Sequence, residues 1–133
     1  VWREWGLDKI LKKGYKNGIV MSGVSAGAIC WFQNGITDSW SSSLKIMPCM
    51  NIIKGTCCPH YDEEPERRPT VKKMIMSKRL KNIFAVDGGA ALHIKNENIF
   101  KSVSFREQKS SYEVSLLRGK LVERSFKKSF IKK

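Results

Sequence analysis

Gly18-Ile19-Val20-Met21-Ser22-Gly23-Val24-Ser25-Ala26-Gly27-Ala28-Ile29 is the stretch on which the reading of this chain turns. A short apolar run ends in Gly23-Val24-Ser25-Ala26-Gly27 and then becomes apolar at helical spacing. The pattern predicts a buried strand over 19–22, a sharp turn at Ser25 and a helix over 26–32 that stops near Asn34-Gly35. It fits the G-x-S-x-G elbow, in which a tight turn lifts a serine hydroxyl above the edge of a sheet. Glycines suit such a turn because backbone passes close to backbone and leaves little room for a Cβ. The residue after the serine, Ala26, would offer its backbone N–H to an oxyanion. Ser and Gly also make ordinary turns. Here the apolar run before the turn and the small apolar residues after it supply the context the motif requires.

Working outward, Trp5, Leu7, Ile10, Leu11 and Tyr15 recur at steps of three and four, which predicts a helix over 4–17 stopped by Gly18. Helix, strand and helix in succession are the grammar of a parallel sheet. A polar loop follows over 37–43. Strand character over 44–47 and 52–53 is broken by Pro48, and a loop over 55–62 carries His60. Pro69 opens a helix whose Val71, Met74, Ile75 and Leu80 face inward, and Ile83–Val86 reads as the next buried strand, closed by Asp87-Gly88-Gly89. Beyond Ala90 the alternation predicts short strands over 91–94, 98–105, 112–117 and 121–126, with hairpin turns at Asn96-Glu97-Asn98 and Arg118-Gly119-Lys120. The expectation is one α/β domain over 1–133, with a mostly parallel sheet that ends in short antiparallel strands. Two or three parallel strands are few for such a sheet, so the sequence reads as beginning within a domain.

At 133 residues and 41% hydrophobic, the chain is long enough and apolar enough for one packed core. No apolar run approaches the roughly 20 residues of a membrane span, and no signal-peptide pattern opens the chain. The net charge of +13 is uneven: residues 1–66 hold 7 basic and 7 acidic side chains, and residues 67–133 hold 18 and 5. The basic residues are scattered apart from Lys127-Lys128 and Lys132-Lys133, and no nucleic-acid-binding motif accompanies them, so a solvated lysine-rich surface is the expectation. Cys30, Cys49, Cys57 and Cys58 form no C-x-x-C pair. They read as reduced thiols of a cytoplasmic protein that binds no metal.

A serine at an elbow needs a base. Of the two histidines, His60 falls in a loop at a strand end, where catalytic groups of open α/β sheets gather, whereas His93 lies within an alternating strand. His60 is the candidate base. A carboxylate must then hold its tautomer. Asp38, in the loop after the elbow helix, and Asp87, at the end of a strand, both satisfy the pattern, and Asp62 reads as a turn cap.

Gly23-Val24-Ser25-Ala26-Gly27-Ala28-Ile29-Cys30-Trp31-Phe32, Thr37-Asp38-Ser39, Cys58-Pro59-His60-Tyr61-Asp62 and Ala85-Val86-Asp87-Gly88-Gly89-Ala90-Ala91-Leu92-His93 together resemble the peptidase E family, the aspartyl dipeptidases related to cyanophycinase. The resemblance covers essentially the whole chain and the C-terminal two thirds or so of a typical member. It implies a three-layer αβα fold like that of the class I glutamine amidotransferases. It implies Ser25 as nucleophile, His60 as base and Asp38 as acid, with Asp87 the alternative. Family members often read Asp-Asp-Gly, or carry a glutamate, where this chain has Asp87-Gly88-Gly89. The implied reaction needs no cofactor and releases an N-terminal aspartate from small Asp-Xaa peptides, with Arg67 or Arg68 meeting the aspartate side chain. Members carry an upstream glycine-rich loop expected to give a second oxyanion donor, and the first helix of this chain begins after that point. The alternatives are a non-catalytic remnant of the family and, on charge alone, a basic nucleic-acid-binding module.

Overall fold

The computed structural model describes residues 1–131, and the basic pair Lys132-Lys133 of the sequence reading lies outside them. Three helices and nine strands are defined among these residues. In chain order they are α1 (Leu7–Lys16), α2 (Ala26–Ile29), β1 (Phe32–Thr37), β2 (Lys45–Pro48), β3 (Ile53–Cys58), α3 (Arg67–Met76), β4 (Asn82–Val86), β5 (Ala90–Lys95), β6 (Asn98–Ser104), β7 (Ser111–Leu117), β8 (Lys120–Ser125) and β9 (Lys128–Phe130).

A six-stranded sheet runs in the order β2-β1-β3-β4-β7-β8, and β5, β6 and β9 make a second, three-stranded sheet. The pairs β1–β3 and β3–β4 are parallel, while β1–β2, β4–β7 and β7–β8 are antiparallel. The large sheet is therefore mixed. Its parallel part is limited to three central strands, flanked on both sides by antiparallel pairings.

Side-chain alternation assigns each face its cover. Ile83 and Ala85 of β4 and Cys58 of β3 pack with Ile36, Val114 and the Val71, Met74 and Ile75 stripe of α3. Cys57 of β3 turns the other way and packs with Ile29 of α2, Phe32 and Ile53. Phe84 and Val86 of β4 and Leu92, Ile94 and Ile99 of the β5–β6 hairpin join that side. One face of the large sheet is thus covered by a helix, and the other by one helical turn and the second sheet.

Several expectations change here. Residues 19–22 form no strand: Ile19 is 59% and Val20 92% exposed, and no strand pairs with them. The helix after Ser25 lasts one turn, because the chain straightens into β1 at Phe32 and runs through the Asn34-Gly35 expected to end the helix. Gly35 belongs there for packing, since a Cβ would sit 2.7 Å from Ile29. The loop expected over 55–62 begins only at Pro59, because Gly55–Cys58 complete β3. α1 forms as expected but buries no residue, and its Ile10 is 66% exposed. The final basic segment contributes β9, parallel to β6, which the sequence pattern did not reveal.

Candidate active site

The carboxyl ends of the three parallel strands converge. β1 ends at Thr37, before Asp38; β3 ends at Cys58, before Pro59-His60; β4 ends at Val86, before Asp87-Gly88. That is where open α/β sheets place ligands. Ser25 joins them from the turn before α2.

The turn at Ser25 is tight. Ser25 has φ 53° and ψ −118°, backbone that a non-glycine residue adopts at a cost. A Cβ on Gly23 would lie 2.0 Å from the Gly27 carbonyl oxygen, so glycine is needed at 23, whereas a Cβ on Gly27 would meet open space. Gly27 N–H donates to Val24 O at 2.9 Å, and Ala28 and Ile29 N–H donate to Ser25 O at 3.0 and 3.1 Å. Ala26, first in the helical turn, has no intrahelical acceptor for its N–H.

His60 Nε2 lies 3.0 Å from Ser25 Oγ, across 35 residues of sequence. Its Nδ1 lies 2.7 Å from Glu63 Oε2. A Nδ1–H that donates to a carboxylate leaves Nε2 as the acceptor for the serine O–H, the tautomer a general base requires. His60 too has positive φ, 54°. Glu63 N–H donates to His60 O at 3.2 Å, closing the turn that returns the Glu63 side chain to the imidazole.

Neither of the two candidate aspartates has a described hydrogen bond to His60. Asp38 is exposed and lines the same cleft, of about 110 Å³, as Ser25, Ala26, His60 and Arg67. The described hydrogen bonds give it no contact with His60. Asp87 is buried, and its Oδ2 accepts from Ser110 N–H and from Tyr112 OH, each at 3.1 Å. Burial pushes its carboxyl above the ordinary range, and the neighbouring Asp62 adds to that. Asp62 anchors the His60 loop. Its Oδ1 accepts from Gly88 N–H at 2.7 Å, and Oδ2 pairs with Lys109. Burial alone would raise its pKa, but Lys109 and the Gly88 N–H hold it below the usual carboxylate range.

Of the two arginines, Arg67 is buried and reaches the cleft. Its Nε donates to Glu64 at 2.6 Å and its Nη1 to Ile36 O at 3.2 Å. Arg68 lies over the Tyr61 ring at 4.3 Å and pairs with Glu123 at 2.6 Å, outside the cleft. His93 packs edge-on against Phe100 in the second sheet. All four cysteines are free thiols, and burial raises the Cys30 and Cys58 pKa values to about 11. Among the described residues no cluster of three metal-ligating side chains occurs, and no helix is long and apolar enough to cross a membrane.

Glu63 is the contact the sequence reading passed over. In sequence it stands in the acidic run Glu63-Glu64-Pro65-Glu66 ahead of α3. No signal in the sequence pointed to it, since His60 sits on positive-φ backbone and no helix spans 60–63 to put positions three apart on one side.

A serine on a tight positive-φ turn, an imidazole 3.0 Å from its hydroxyl and a small cleft thus meet at the carboxyl ends of the parallel strands. Residues 1–102 match the model of peptidase family S51, and the chain belongs to that family. It is 44% identical over 123 residues, 92% of its own length, to the uncharacterized peptidase YgaJ of Bacillus subtilis (strain 168). The match takes in 53% of that protein, so the chain spans about half the length of the curated relative it matches.

Proposed function

We propose that this chain carries the nucleophile and base of a serine-type dipeptidase that removes an N-terminal aspartate from small peptides in the cytoplasm. The 3.0 Å approach of His60 Nε2 to Ser25 Oγ carries this reading. Ser25 attacks the peptide carbonyl as His60 takes its proton. The N–H of Ala26 stabilises the oxyanion, and His60 returns the proton to the leaving amine. Water then hydrolyses the acyl-enzyme by the same route in reverse order.

The cleft supports a small substrate. Its volume of about 110 Å³ suits one short side chain. Arg67 is the cation on its wall, and a substrate carboxylate would share it with Glu64. Asp38 and Glu64 line the same space and would attract the free α-ammonium of a dipeptide. In this assignment Asp38 meets substrate, in place of the triad role that the resemblance implies for it. The three-layer αβα arrangement of the family is proposed for the whole domain.

The test is release of a chromophoric amine from an aspartyl anilide by the chain and by its Ser25→Ala variant. Turnover that falls at least about 10³-fold in the variant is the expected result. Equal turnover in both proteins would remove Ser25 from the mechanism.

A further inference from the structure

The carboxyl of Glu63 occupies the space that a side chain on residue 88 would fill. A Cβ built on Gly88 would lie 2.0 Å from Glu63 Oε1 and 2.2 Å from its carboxyl carbon. The backbone of Gly88 is not in the left-handed region, so conformation alone does not demand glycine there. A side chain there would meet the Glu63 carboxyl and displace it from its present position.

Two further contacts hold these groups together. Asp62 accepts the Gly88 N–H at 2.7 Å, which ties the His60 loop to the turn after β4. Tyr61 N–H donates to Val86 O at 3.0 Å and continues the β3–β4 pairing into the same loop. Glu63 is thus seated against Gly88 on one side and bonded to His60 Nδ1 on the other. An i,i+3 pair on an open surface is weak and needs no vacated Cβ beside it. Beside a bare Cα the Glu63 carboxylate has room to lie against the imidazole that it would orient.

We infer that Glu63 is the positioning residue for His60, and that Gly88 is its seat. This rests on the serine-peptidase reading above. Oδ2 of Asp87 is taken by Ser110 and Tyr112, and neither Asp87 nor Asp38 has a described hydrogen bond to the imidazole. Glu63 acts through His60 and touches no reacting atom.

A double-mutant cycle on aspartyl anilide turnover tests the assignment. Glu63→Ala should lower kcat by about 10²-fold, less than the roughly 10⁴-fold of a buried triad aspartate, because Glu63 is half exposed. KM should stay within about twofold. Added formate should restore at least about tenfold of the lost rate in Glu63→Ala, and none in Ser25→Ala. Gly88→Ala should cost a similar factor in the parent chain and no further factor in the Glu63→Ala background. Equal losses from Gly88→Ala in both backgrounds would show that residue 88 acts independently of Glu63 and would overturn the inference. So would an unchanged kcat in Glu63→Ala.

Should the parent chain show no turnover, the peptidase reading fails and the positioning claim is decided by NMR. A hydrogen-bonded His60 Nδ1–H resonance that shifts in both Glu63→Ala and Gly88→Ala upholds it. A resonance unmoved by either substitution rejects it.

Discussion

Ser25 and His60 both sit on positive-φ backbone, at 53° and 54°, so the two groups that meet are each carried by a strained residue. Such residues cost about 1–3 kcal/mol each and persist where their surroundings fix them. The Gly23–Gly27 approach fixes the first, and Asp62 and Glu63 fix the second. Asp62 and Asp87, side by side beneath the loop, give opposite pH signatures. Asp87 has a raised pKa through burial, so the folded state holds its proton more tightly than the unfolded chain does. Its contribution is present below the ordinary carboxylate pKa and is lost as pH rises through the raised value. Asp62 has a lowered pKa, so its contribution is present above the ordinary value and is lost as pH falls through the lowered one. Urea unfolding from pH 3 to 7 should therefore show Asp87→Asn gaining on the parent chain as pH rises. Asp62→Asn should lose ground to the parent chain as pH rises over the acid end of the same range. Parallel curves for the two variants would contradict these environments. At this scale Ser25 and His60 were legible, because a motif and a histidine in a strand-end loop announce themselves. Glu63 was not, because its role depends on the missing side chain at Gly88, 25 positions away.

The hairpins show which elements a sequence reveals. Asn96 and Glu97 lie at φ 50° and 64°, and Arg118 and Gly119 at 49° and 78°, as two-residue turns between right-twisted strands require. Both turns stand where the pattern placed them, since turn chemistry and alternation are local signals. β4 and the inner stripe of α3 were legible for the same reason. The apolar run over 19–22 misled, because a strand exists only when another strand takes its hydrogen bonds, and none does here. The short α2 misled because the close fit of Gly35 on Ile29, which favours an early β1, is a tertiary contact. Glu97 offers a test of the hairpin account. Its left-handed backbone favours glycine, so Glu97→Gly should raise the unfolding free energy by about 1 kcal/mol, read from urea midpoints. A loss of stability would mean that the Glu97 side chain contributes more than its backbone strain costs.

Across the whole molecule the charge is the feature least explained by the site. All of the net +13 falls in residues 67–133, which supply α3 and every strand from β4 onward. Five side-chain ion pairs occur among the described residues, and the later basic residues enter four of them, only through Arg67, Arg68 and Lys109. Most of the remaining cations face solvent, where like charges repel and oppose the compact state. Salt should relieve that repulsion, because the screening length falls from about 30 Å at 0.01 M to about 3 Å at 1 M. The urea midpoint of the chain should therefore rise with NaCl over this range. Exchanging the exposed Lys81, Lys95 and Lys120 for glutamate changes the charge by two units at each position and takes +13 to +7. That variant should be more stable than the parent at 0.01 M NaCl and should approach it at 1 M. A parent midpoint indifferent to salt would mean that the twelve acidic side chains already neutralise the surface locally, and that the excess charge places no strain on the fold.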